Sequence, residues 1–163
     1  MAQLVPDATV TLSVLDRLID REPKNSREAP PTRAQSIRVL HDAVRRDLEW
    51  LLNTRRIAVP PDEGLKELNK SVYVFGLPDF TSFSLSAPAE RQKLLRQLQN
   101  TIKLFEPRIA KARIVPLDGE TKFNRTLRFR IEGLLLMDPE PEMVSFDTVL
   151  QLTSGTYEVK NEG

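Results

Sequence analysis

The chain has 163 residues, a length typical of one domain that buries its own core. Lys and Arg number 24 against 23 Asp and Glu, and this net charge of +1 gives no reason to expect a nucleic acid or an anionic membrane as partner. Cysteine is absent and histidine occurs once, which excludes thiol chemistry and leaves catalytic triads and histidine-rich metal sites without their residues.

The N-terminal segment predicts a short helical arm that reaches the domain through a linker. Apolar residues at helical spacing predict a helix over 11–20, and Ser13 with Asp16 has the spacing of a capping box. Residues 21–35 are polar with three prolines, which favours a flexible linker. We therefore predict an N-terminal helix and linker over 1–35 and a single domain over 36–163.

The main helix is predicted over 36–55 and carries apolar residues on two flanks. One stripe comprises Ile37, Leu40, Val44, Leu48 and Leu51. Val39, Ala43 and Trp50 lie on a nearly opposite flank when the residues are placed 100° apart. Either a second layer of the same chain or a partner must cover Trp50, and the sequence leaves both alternatives open.

The middle of the chain predicts a strand and a second helix. Residues 71–76 have strand composition, followed by a turn at Gly76. Ser86 or Ala87 begins a helix that carries one apolar stripe and continues to Phe105.

The C-terminal part predicts consecutive strands over 112–117, 125–136, 144–152 and 156–160. Strands without intervening helices form antiparallel sheets. The predicted class is therefore α+β, an antiparallel sheet with helices packed on one face and a flexible N-terminal helical arm. The last strand lies at an edge, where it either extends the sheet of a neighbour or is shielded by its own charges.

Glu106-Pro107-Arg108, at the junction of helix and strand, has three interpretations. Proline stops a helix, which needs no function. An acid and an arginine around a rigid proline also suit docking, since arginine binds a partner carboxylate through two hydrogen bonds. Catalysis by two carboxylates is the third interpretation, but no spacing singles out a second acid among Asp118, Glu120 and Glu132. The single histidine, His41, is predicted to lie at a core boundary.

Four stretches in order carry a family resemblance. They are S-V-L-D-R-L-I-D from Ser13, R-R-D-L-E-W-L-L-N-T-R from Arg45, V-F-G-L-P-D-F from Val74 and F-E-P-R-I from Phe105. Together they resemble the TssE family of type VI secretion baseplate subunits and, through it, the lysozyme-like wedge protein of contractile phage tails. The one departure is Phe75, where the family commonly has tyrosine before glycine.

This resemblance implies a non-enzymatic structural subunit that links the baseplate to the contractile sheath and helps start sheath assembly. Implied partners are the wedge subunits TssF, TssG and TssK, the spike, and the sheath subunits TssB and TssC, with no cofactor, nucleic acid or small-molecule substrate. The resemblance also implies a location in the bacterial cytoplasm, at the inner face of the membrane within the baseplate, and an N-terminus without the pattern of a signal peptide agrees with this expectation. The alternative function is a carboxylate-dependent cell-wall glycoside hydrolase. The predicted interaction residues are Leu15, Asp16, Arg17, Leu18, Trp50, Glu106, Pro107 and Arg108.

Overall fold

The computed structural model describes residues 10–20, 23–24, 31–80, 87–117, 126–151 and 154–161. Three α-helices and four strands lie in these ranges, in the order α1 (Val14–Leu18), α2 (Arg33–Asn53), α3 (Pro88–Phe105), β1 (Ile109–Pro116), β2 (Thr126–Leu135), β3 (Glu142–Gln151) and β4 (Thr156–Asn161). Two short 3-10 helices, Leu68–Lys70 and Val72–Val74, lie between α2 and α3. None of the described helices combines the length and the apolar character that a membrane crossing requires.

The strands form one antiparallel sheet in the order β1-β2-β3-β4. Side chains alternate strictly along β2, so that Leu127, Phe129 and Ile131 are buried while the residues between them face away from the core. The buried face forms one core with the apolar sides of α2 and α3. The predicted α+β class, with helices packed on one sheet face, is confirmed.

Helix α2 begins at Arg33, three residues before its predicted start. Thr32 caps it, accepting a hydrogen bond from the backbone N–H of Gln35 while the Gln35 side chain accepts one from the backbone N–H of Thr32. Residues of the second apolar flank differ in burial, since Ala43 is buried whereas Trp50 is 58% exposed. Trp50 is therefore not fully covered by any layer of the described residues.

The predicted strand over 71–76 is wrong, because Val72–Val74 forms a 3-10 helix. The Ser71 hydroxyl accepts a hydrogen bond from the N–H of Tyr73 and so favours a turn over extended backbone. Gly76 follows at φ 93°, where an added Cβ would lie 2.3 Å from the carbonyl oxygen of Thr54. Only glycine fits this close approach to the end of α2.

Helix side chains satisfy backbone groups at both edges of the sheet. On β4, the Asn53 side-chain amide donates to the carbonyl of Tyr157 and accepts from its N–H, each at 2.9 Å. On β1, the Gln99 amide donates to the carbonyl of Ala112 at 3.1 Å. The Asn53 side chain thus makes the two hydrogen bonds that the backbone of a neighbouring strand would make.

We predict that Asn53→Ala destabilises the fold by about 1–3 kcal/mol and promotes self-association. The substitution leaves an N–H and a carbonyl of β4 unpaired at the sheet edge. Urea unfolding measures the stability, and size-exclusion chromatography at increasing concentration measures the association. Asn100→Ala, an exposed position on α3, is the matched control and should change neither. Equal behaviour of the two variants would contradict this role of Asn53.

Candidate interaction site

The Glu106-Pro107-Arg108 loop closes on itself through its two charged side chains. Arg108 donates from Nε to Glu106 Oε1 at 2.6 Å and from Nη2 to Glu106 Oε2 at 2.5 Å. The Glu106 side chain is only 5% exposed, while Pro107 lies on the surface. Because α3 ends at Phe105 and β1 begins at Ile109, the loop also separates helix from strand, as the punctuation interpretation predicts.

Arg108 also joins this loop to the middle of α2. Its Nη2 donates to Oδ2 of Asp47 at 2.6 Å, and the other Asp47 oxygen accepts from Nε and Nη2 of Arg46 at 3.0 and 2.8 Å. One guanidinium therefore binds a buried carboxylate on one side and a helix carboxylate on the other. This geometry fixes the direction in which β1 leaves α3 relative to α2.

Arg46 continues the chain of charges to the N-terminal helix. Its Nη1 donates to Oδ1 of Asp16 at 2.7 Å, and the Ser13 hydroxyl donates to the other Asp16 oxygen at 2.5 Å. The N–H of Asp16 in turn donates to the Ser13 oxygen, so Ser13 caps α1 as predicted. The residues Glu106, Arg108, Asp47, Arg46 and Asp16, with acids and bases in alternation, are the charge network.

The contacts of the network shift the pKa values of Arg108, Arg46 and Asp16 in the direction that keeps these three groups charged. The hydrogen bond with Glu106 raises the pKa of Arg108, although burial acts the other way. The hydrogen bond with Asp16 likewise raises the pKa of Arg46. Burial alone would raise the pKa of Asp16, but hydrogen bonds from Arg46 and Ser13 outweigh it and lower that pKa.

The predicted interaction residues fall into two groups. Glu106, Arg108 and Asp16 are members of the charge network and already have partners within the chain. The other residues lie at the surface, and they are Leu15, Arg17, Leu18, Trp50 and Pro107. The Arg46 guanidinium lies 5.4 Å from the centre of the Trp50 ring and so connects the two groups. The interaction role of all eight residues stays a prediction.

Sequence reasoning missed Asp47 and Arg46, which connect the loop to α1. A signal was present for Asp47, because it lies three residues after Val44 and four before Leu51, on the buried face of α2. A carboxylate in such a position needs a cation nearby. The sequence does not show that this cation is Arg108, 61 residues further on.

The geometry around Glu106 does not favour the hydrolase alternative. Both of its carboxylate oxygens accept hydrogen bonds from Arg108. Glu106 lines none of three surface clefts that are formed by described residues near residues 52–55, 56–61 and 111–113. Of the candidate second acids, Glu132 lies in β2, and Asp118 and Glu120 lie outside the described residues. No group of three or more His, Asp or Glu side chains within the described ranges is arranged to hold a metal ion.

The fold is thus an α+β domain in which the Glu106-Pro107-Arg108 loop is closed by ion pairs of Arg108 with Glu106 and Asp47. Comparison with protein families matches residues 38–140 to the baseplate wedge protein gp25 family. This match covers more than half of the 163 residues, and the chain therefore belongs to that family, which is also the family of TssE. Comparison with curated proteins and with solved structures gives no match. Membership confirms the resemblance and supports a structural role in a baseplate.

We predict that Arg108→Met lowers the free energy of unfolding by about 3–5 kcal/mol, because it leaves the buried Glu106 carboxylate without its partner. The double variant Glu106→Gln/Arg108→Met removes both charges and should lose clearly less. Urea unfolding of Arg108→Met, of Glu106→Gln and of the double variant gives the coupling free energy between the two residues. Losses that simply add would show that the pair does not act as a unit.

We predict that acid releases α1 from α2. The folded pKa of Asp16 lies below its ordinary value of about 4, so the Asp16–Arg46 contact contributes fully above that pH. The contribution is lost as the pH falls through the lowered pKa. Trp50, the single tryptophan, lies beside Arg46 and its fluorescence reports the change. In Asp16→Asn this transition should be absent, and an unchanged titration in that variant would contradict the assignment.

Proposed function

We propose that this chain is a non-enzymatic subunit of a type VI secretion baseplate wedge that links the baseplate to the contractile sheath and helps start sheath assembly. Family membership supports the baseplate part of this proposal. The observation that carries the rest is the position of α1, which the charge network holds against α2 while its apolar side chains face outward.

The exposed surface of α1 has the composition of a protein interface. No residue of α1 is buried, and Val14 and Leu18 are 71% and 77% exposed. Leu15, Ile19 and Trp50 add further exposed apolar area. Contiguous exposed apolar residues mark interaction surfaces, and tryptophan is enriched among the residues that dominate binding energy.

The charge network prepares this surface for binding. An arm already held by Asp16 and Arg46 loses less conformational entropy when a partner binds than a free arm would. We propose that the arm and linker over 1–35 form the docking part and that 36–163 form the domain that carries it. The partners proposed for this surface are TssF and TssG, at the cytoplasmic face of the inner membrane.

The link to the sheath involves a different part of the molecule. We place contact with TssB and TssC at the β4 edge and contact with TssK and the spike through the assembled wedge. The Asn53 amide occupies the outward backbone groups of Tyr157. A sheath strand that pairs with β4 would therefore have to displace Asn53 first. This requirement favours pairing only after a partner has bound.

We predict that Leu18→Glu and Trp50→Ala weaken co-purification with a TssF–TssG complex by more than about tenfold, while the melting temperature stays close to that of the unsubstituted chain. Both side chains are more than half exposed, so their replacement costs little folding energy. Val72→Glu, at an apolar residue that is 87% exposed, is the matched control and should bind normally.

Normal binding by both α1-surface variants would overturn the proposed docking surface. Equal loss in the Val72→Glu control would show that any exposed acid disturbs binding, which contradicts the assignment to α1 and Trp50.

A further inference from the structure

A second surface feature lies beside β1. A cleft of about 460 Å³ opens between the exposed flank of α3, β1 and the outward face of β2. It shares no lining residue with the charge network or with α1. Its volume is within the range of sites that bind ligands of moderate size.

The cleft carries an excess of positive charge. Lys103 from α3 and Lys111 and Arg113 from β1 line it, and among the described residues Glu132 is the one acid that does so. None of the three cations lies within ion-pair distance of a carboxylate of the described residues, whereas Arg46 and Arg108 each have such partners. In a chain whose charges nearly cancel, a group of unpaired cations around one cleft is a candidate anion-binding surface.

The cleft also has an apolar part. Leu134 of β2 and Met143 of β3 are neighbours across the strands and both line it. Met143 is 72% exposed, and methionine adapts its shape to different apolar partners. No aromatic side chain of the described residues lines the cleft, so this part of the chain gives it no stacking surface of the kind that single-stranded nucleic acid uses.

The backbone of β1 under the cleft departs from regular strand pairing. β1 has a bulge between Ala110 and Arg113, and Gly133 lies opposite, where an added Cβ would lie 2.4 Å from Cγ2 of Ile109. Lys111 within the bulge has φ 54°, a conformation that disfavours residues with a Cβ. Glycine would fit this position with less strain, but it would not supply a cation.

We propose that this cleft binds an acidic, extended segment of a partner protein whose carboxylates pair with Lys103, Lys111 and Arg113 and whose apolar side chain contacts Met143. Charge complementarity selects carboxylates, and the exposed methionine selects a segment with apolar residues between them. This proposal goes beyond the proposed function, because it concerns the chemistry of a second binding surface and needs no baseplate.

The test uses the purified chain and a short fluorescein-labelled peptide in which Glu and Leu alternate, measured by fluorescence anisotropy. We expect saturable binding that weakens as salt is raised, because the contacts are exposed ion pairs. The matched peptide with Gln in place of Glu should not bind. Lys111→Glu/Arg113→Glu should weaken binding about tenfold or more. Lys66→Glu/Lys70→Glu changes the net charge equally at exposed residues elsewhere and should bind as the unsubstituted chain does.

Lys111→Gly separates binding from folding. This variant relieves the left-handed conformation, so its melting temperature should be at least as high as that of the unsubstituted chain. Its affinity for the Glu-Leu peptide should nevertheless fall about threefold. Three results would overturn the proposal: equal weakening by both double variants, unchanged binding in Lys111→Glu/Arg113→Glu, or binding of a labelled oligonucleotide in preference to the peptide.

Discussion

The fold depends on one guanidinium group. Arg108 holds the buried carboxylate of Glu106 with two nitrogens and reaches Asp47 on α2 with one of the same two. A carboxylate that is 95% removed from solvent is stable only with such a partner, since burial of an unpaired charge costs several kcal/mol. Three elements meet at this group, the end of α3, the start of β1 and the middle of α2. The proline between Glu106 and Arg108 ends the helix and places the two side chains where they face each other.

The edges of the sheet also depend on side-chain contacts, in this case from the two long helices. Helix side chains, and not further strands, bond to outward backbone groups of β1 and β4. Asn53 serves β4 from the last turn of α2, and Gln99 serves β1 from α3. These helices therefore contribute apolar side chains to the core and amides to the sheet edges. The one part of β1 that departs from regular pairing, the bulge at Lys111, borders the cationic cleft, so the irregular backbone and the unpaired cations occur together.

The sequence predicted much of the fold because periodicity reports burial directly. Leu127, Phe129, Ile131, Val144 and Phe146 alternate with polar residues along the sequence of β2 and β3, and all five are buried. The prediction failed at 71–76, where strand composition competes with a Ser71 hydroxyl that stabilises a turn. It also left open whether the chain or a partner covers Trp50. A helical wheel shows that a flank is apolar but not what packs against it. The charge network was beyond pattern reasoning. Two of its ion pairs, Asp16–Arg46 and Asp47–Arg108, join residues 30 and 61 positions apart, and such pairings follow from the tertiary fold.

The two ends of the charge network respond differently to the loss of a contact, because Arg46 lies between two acids. When Asp16 leaves, Arg46 keeps both of its hydrogen bonds to Asp47, and the released Asp16 carboxylate is hydrated by water. When Arg108 is lost, by contrast, water does not hydrate the Glu106 carboxylate, because this side chain is only 5% exposed. Detachment of the arm is thus a local and reversible event, whereas disruption of the loop is a global one.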